Sequence, residues 1–128
     1  METQVGPLIH EQHYNKVMGY IERAKAAGAK LVCGGNRVIV KGRCEGGFFV
    51  EPTVFDGLTD DMEIVKEEVF GPVMAVLSFK TEEEAIARAN DTPFGLAAGV
   101  MTTNLARGHR VVKRLQVSTT SPTTHSEL

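Results

Sequence analysis

The chain has 128 residues, of which 34 are Leu, Ile, Val or Phe, enough apolar side chain for a core and too much for a disordered segment. Its net charge of −2, with both signs interspersed, leaves no electrostatic footprint for nucleic acid or an acidic membrane surface. No apolar run approaches the ~20 residues of a membrane span, Met1-Glu2-Thr3-Gln4 lacks the regions of a signal peptide, and two cysteines make no disulfide framework, so a reduced, soluble, cytoplasmic chain is expected.

Tyr14, Val17, Met18, Ile21, Ala24 and Lys25 recur at helical spacing, the last through its aliphatic stem, and predict a helix over 10–27. Pro7 precedes it and Gly28 stops it. A short strand is expected at Lys30–Cys33, ended by Gly34-Gly35, a turn that needs unusual backbone angles. Residues 36–47 mix charge, glycine and a Val-Ile-Val run, and read as a hairpin or a surface excursion. Residues 48–55 form a strand that Pro52 interrupts or confines to an edge. A short irregular helix follows over 60–69, with Thr59 or Asp60 at its start and Gly71-Pro72 breaking it. Residues 73–79 are almost wholly apolar and predict a buried strand. Thr81 and Glu84 have the spacing of a capping box, and Ala85, Ile86 and Ala89 give the helix it opens an inward face. Another apolar strand is expected at 96–102. Thr103 or Asn104 then caps a helix with Leu105, Val112 and Leu115 on one side.

Strand alternating with helix in this order predicts an α/β fold with βαβ units, a mostly parallel sheet and right-handed crossovers. The two ends fit a free-standing domain poorly. A helix begins almost at once, and the polar stretch Ser118-Thr119-Thr120-Ser121-Pro122-Thr123-Thr124 offers no strand after the last helix. The sequence therefore reads as an internal portion of a larger domain, incomplete at both ends.

Most reactive side chains have ordinary readings. His10 and His13 share a helix face as metal ligands do, but no third ligand lies near in the sequence. Cys33, between apolar residues and a double glycine, reads as a buried structural thiol, and Cys44 as an exposed loop thiol. Asn90-Asp91-Thr92 matches a glycosylation sequon that a cytoplasmic chain does not use. Glu82, Glu83 and Glu84 read as a solvated helix start. Neither G-x-G-x-x-G nor a P-loop occurs, which disfavours a free-standing nucleotide-binding domain. There remains Lys66-Glu67-Glu68-Val69-Phe70-Gly71-Pro72-Val73, with two readings. Either Glu68 is in solvent and Phe70 in the core, or both face a ligand from a rigid turn, where a carboxylate can accept two hydrogen bonds from a vicinal diol.

This segment resembles the E-[IV]-F-G-P motif of the NAD(P)-dependent aldehyde dehydrogenase superfamily. Thr3-Gln4-Val5-Gly6-Pro7-Leu8-Ile9, Gly28-Ala29-Lys30 with Gly34-Gly35, and Gly47-Phe48-Phe49-Val50-Glu51-Pro52-Thr53 are similar to further family segments in the same order. Ala89-Asn90-Asp91-Thr92-Pro93-Phe94-Gly95-Leu96-Ala97-Ala98-Gly99-Val100 resembles the AN-x-T-x-[YF]-GLAA stretch. The wording KEEVFGPVM and FGLAAGVMT is most similar to the branch acting on betaine aldehyde and 4-trimethylaminobutyraldehyde.

The resemblance implies a partial catalytic domain over 3–117 and a divergent, disordered Ser/Thr-rich tail over 118–128. In the family an aldehyde is oxidised to a carboxylic acid through a cysteine thiohemiacetal. Hydride passes to NAD or NADP, and a glutamate base and an oxyanion hole assist. Carried over to this chain, Glu68 would hold the nicotinamide ribose hydroxyls and Phe70 would pack beside the nicotinamide. The family's nucleophile, base, oxyanion asparagine and dinucleotide-binding domain precede the Gly6-Pro7 equivalent, so no catalytic residue is inherited. Neither Cys33 nor Cys44 stands at the nucleophile's place. The implied partners are a small aldehyde and further copies in a homo-oligomer, with turnover not expected of the chain alone and its binding of NAD weak at best. The alternative is a non-catalytic, dominant-negative module that docks on a full-length paralogue through unpaired strand edges.

Overall fold

The computed structural model describes residues 5–123, so residues 1–4, which begin the first family-like segment, and 124–128 of the tail lie outside the described residues. The chain divides into two compact units, 1–77 and 78–128.

The first unit runs α1 (Glu11–Ala26), β1 (Lys30–Cys33), β2 (Arg37–Val38), a 3-10 turn (Gly42–Cys44), β3 (Phe49–Val50), β4 (Thr53–Asp56), α2 (Glu63–Lys66) and β5 (Val73–Ala75). His10 caps α1 by accepting from the His13 amide at 3.1 Å. The helix buries Val17, Tyr20, Ile21 and Ala24, a single stripe at i, i+3, i+4 and i+7. Its far end is a Schellman motif: Gly28, at φ +89°, donates to Lys25 and Ala29 donates to Ala24. The stripe joins Val50, Phe55, Ile64 and Val69 in one core, and full burial of such side chains stabilises by roughly 1.5–3 kcal/mol each. Arg23 on α1 and Glu63 on α2 add an exposed two-pronged ion pair, 2.6 and 3.2 Å, of the kind that contributes little.

Central strand β4 pairs antiparallel with β1 and parallel with β5, while β2 and β3 form a separate antiparallel ribbon. The sheets are thus mixed, where a mostly parallel sheet was expected. Between β1 and β4 the chain makes only this ribbon and a 3-10 turn, with no crossover helix to reverse direction. Pro52 interrupts the expected 48–55 strand as its missing N–H requires, and the two halves join different sheets. Strand β5 departs from expectation too, because it is three residues long and Met74 at its centre is 60% exposed. An apolar run states what a strand can bury, and β5 is an edge with one described neighbour.

The second unit comprises α3 (Glu82–Asn90), β6 (Ala97–Met101), α4 (Leu105–Val112) and β7 (Thr119–Thr123). Strands β6 and β7 are parallel neighbours, Ala97 opposite Thr119 through Met101 opposite Thr123, so β6-α4-β7 is a βαβ unit. This corrects the expectation that nothing after α4 supplies a strand. Polarity suggested a loop, but threonine's branched Cβ suits a pleated strand. Pro122 is tolerated because among the described residues β7 is paired on one side only. Gly108, rather than the exposed Leu105, is the buried point of α4. A Cβ on Gly108 would lie 3.4 Å from Pro122, so its absence lets the helix approach β7. Asn90 fastens the segment after α4, donating to the Arg114 carbonyl and accepting from the Gln116 amide, both at 2.9 Å.

Asn104 caps α4, and Thr81 caps α3 by accepting from the Glu84 amide. The Glu84 carboxylate reaches back to the Lys80 amide at 2.8 Å, one residue beyond the usual capping-box partner. Glu82 is no solvated acid. It receives two hydrogen bonds from Arg110, at 2.8 and 2.7 Å, and ties α3 to α4. Those bonds, the largest influence, hold its carboxyl below the usual carboxylate range. A carboxyl lowered on folding contributes stability that is complete above its ordinary value near ~4.3 and is lost as pH falls through the lowered one. The stability difference between wild type and Glu82→Gln is therefore expected to be full at neutral pH and to shrink on acidification below ~4. A difference equal at pH 3 and pH 7 in urea titrations would remove the ion pair from the account.

Candidate functional site

The segment between α2 and β5 carries both residues singled out in the sequence. Helix α2 ends when the Glu67 amide donates to Glu63, and Glu67 itself is extended. Val69 is buried and belongs to the core of the first unit. Glu68 before it and Phe70 after it lie outside that core. Both are exposed, Phe70 by 68%. This removes the reading that put Phe70 in the core.

Phe70 has φ +54° and is the one non-glycine with positive φ among the described residues. For a residue with a Cβ that conformation costs roughly 1–2 kcal/mol, so the surroundings must impose it. His13 Nε2 lies 2.7 Å from the Phe70 carbonyl oxygen. A carbonyl only accepts, so Nε2 carries the proton. Gly71 lies against Val17, where a Cβ would come within 2.8 Å of both γ-methyls. The Val73 amide closes on the Gly71 carbonyl at 2.7 Å, and the Pro72 carbonyl accepts from the Thr53 amide at 2.8 Å. The turn is thus fixed from α1 and from β4 together.

The remaining candidates lie elsewhere. Cys33 is exposed on β1, against the expectation of a buried thiol, because β1 is the other edge of its sheet and Cys33 sits at a register shift. Its sulfur lies 3.9 Å from the Pro52 carbonyl oxygen, a group that cannot take a proton from it as a nucleophile's base must. Cys44 is exposed in the 3-10 turn, as expected. His10 and His13 act on a helix end and on a backbone carbonyl, and no group of three metal-ligating side chains occurs among the described residues. No helix there is long and apolar enough to cross a membrane. The second unit holds a groove of about 570 Å³ between α3, β6 and α4, whose lining includes Ile86, Ala89, Val100 and Val111. Sequence reasoning missed His13, since helical spacing shows which residues share a face and not what that face will meet.

A rigid turn that offers a carboxylate beside an exposed aromatic, within an α/β fold, is the arrangement expected of the family the motifs resemble. The aldehyde dehydrogenase family model matches residues 1–126, and the chain belongs to that family. Similar relatives include the betaine aldehyde dehydrogenases of Mesorhizobium japonicum, 58% identical over 118 residues, and Brucella anthropi, 55% identical over 117. These alignments cover 92% and 91% of this chain and 24% of each relative, so the chain spans about a quarter of their length. Among solved structures, an indole-3-acetaldehyde dehydrogenase complexed with NAD+ superimposes with a TM-score of 0.89 at 43% identity. The NAD+ complex of an aldehyde dehydrogenase from Bacillus cereus gives 0.88 at 46%, each covering 99% of this chain and 25% of the other. The family match takes in β7 and so extends past residue 117.

Proposed function

We propose that these residues are the nicotinamide-positioning portion of an NAD(P)-dependent aldehyde dehydrogenase acting on a small aldehyde of the betaine aldehyde kind. The observation that supports it most is the E-V-F-G-P turn, with Glu68 and Phe70 exposed beside a buried Val69. The Glu68 carboxylate has the acceptor capacity for two hydroxyls of a ribose diol. Phe70 supplies an apolar ring face against which a flat heterocycle can lie. Both residues fit the cofactor, and NAD or NADP, when bound, supplies the hydride acceptor. The chain's own contribution is orientation: a turn that does not move keeps the reacting carbon at a fixed distance from its substrate. The names of the Mesorhizobium and Brucella relatives support the substrate class.

The same reading makes the 128 residues alone inactive, since neither Cys33 nor Cys44 has a nucleophile's surroundings. The alternative, docking on a second copy or a full-length relative, would use exposed apolar side chains, Met74 and Val76 in the first unit or Met101 and Leu105 in the second. Nothing among the described residues selects a partner for either pair, and the enzyme-portion reading is preferred. The test is an NAD titration of the purified chain followed by NMR of the Phe70 ring. Weak saturable shifts are expected, with affinity falling roughly tenfold or more in Glu68→Ala, the scale of lost hydrogen bonds to a charged group. Equal affinity in wild type and Glu68→Ala would reject the role of Glu68.

A further inference from the structure

We infer that His13 is a positioning residue for the Glu68–Phe70 turn, and that the His13–Val17 face of α1 is the template on which the turn is shaped. The inference rests on the proposed role of Glu68 and Phe70 for its functional meaning, and on geometry alone for its structural content.

A phenylalanine does not take φ +54° by preference, because its Cβ crowds the following carbonyl. Two neighbouring contacts compel it. The Phe70 carbonyl is captured by His13 Nε2 at 2.7 Å, and the next residue, Gly71, is seated on the γ-methyls of Val17. Positions 13 and 17 are i and i+4, one above the other on a single helix face. Val17 is fully buried and cannot retreat. His13 therefore decides which way the preceding carbonyl points, and with it the direction of the Phe70 ring and of Glu68 two residues earlier. His10 works in series with it: by accepting from the His13 amide, it holds the helix turn from which the imidazole projects. Two histidines spaced like metal ligands thus serve a helix end and a backbone bend.

The experiment is amide hydrogen exchange on the full 128-residue chain, comparing wild type, His13→Leu and His13→Gln. The reporters are the Val73 and Thr53 amides, which donate to the Gly71 and Pro72 carbonyls of the turn. The Ile21 and Ala29 amides report the rest of the unit, Ala29 through its bond to the Ala24 carbonyl. His13→Leu is expected to speed exchange at Val73 and Thr53 about tenfold and to leave Ile21 and Ala29 within about twofold. His13→Gln keeps a side-chain N–H, and should restore the reporters to within about threefold of wild type. In the wild type, imidazole ¹⁵N shifts should show Nε2 as the protonated nitrogen. Unchanged exchange in His13→Leu, glutamine no better than leucine, equal acceleration at Ile21, or a neutral Nδ1–H tautomer would each overturn the inference. Repeating the exchange with NAD separates it from the cofactor reading. If the variants behave as expected while NAD protects no amide of 68–71 in the wild type, His13 keeps its structural role and the nicotinamide assignment falls.

Discussion

Phe55→Ala is expected to remove a large share of the first unit's stability. Phe55 has no exposed surface and lies on β4, the strand that pairs with both β1 and β5. It shares its core with Val17 and Ile21 of α1, which are also fully buried. Removing a buried phenyl ring in such a setting costs about 3–5 kcal/mol, in lost transfer energy and in the cavity left behind. A unit of this size has only about 4–11 kcal/mol to lose, at 0.05–0.15 kcal/mol per residue. Urea unfolding followed by circular dichroism should show the first transition moved to much lower denaturant with its slope unchanged. A loss under ~1 kcal/mol would mean that the ring is not the centre of this core.

Gly34→Ala is expected to cost about 3 kcal/mol or more, as a left-handed penalty added to a displaced backbone. Gly34 has φ +75°, and a Cβ there would lie 2.2 Å from the Pro52 carbonyl oxygen. The obstacle is main chain. Pro52 is followed by Thr53, whose hydroxyl accepts from the Gly35 amide and donates to the Glu51 carbonyl, and whose amide holds Pro72. Displacing Pro52 therefore disturbs β4 and the Glu68–Phe70 turn together. Gly35→Ala is the internal control. Its φ is +87°, but the nearest atoms are the ends of the Leu31 and Lys25 side chains, at 3.1 Å or more, which can give way. Unfolding midpoints should rank wild type, then Gly35→Ala, then Gly34→Ala. Equal losses for the two alanines would assign the whole effect to backbone angle and none to the collision.

Features that depend on neighbours in sequence were legible. The helix expected over 10–27, the Lys30–Cys33 strand, the break at Pro52 and the Thr81 cap all follow from rules that act within a few residues. Features that depend on distant partners were not. Glu82 looked solvated because Arg110 is 28 residues away, and 73–79 looked buried because apolarity does not say what is present to cover it. Thr119–Thr123 lost to its polarity a strand signal that its branched side chains carried. The candidate site was legible through its wording. Spacing alone favoured Phe70 in the core, and Gly71-Pro72 announced a bend without saying that Phe70 would take the unusual angle. The register that brings His13 to that bend has no local signature.

The His13–Phe70 contact also bears on the order of assembly. It joins residues 57 apart, and closing so long a loop is entropically costly until other contacts have shortened it. Pairing of β1 with β4, or of α1 with α2 through Arg23 and Glu63, shortens that loop first. The Glu68–Phe70 turn is therefore expected to form late, and a ribosome that has not yet released residue 70 holds α1 through α2 without the turn.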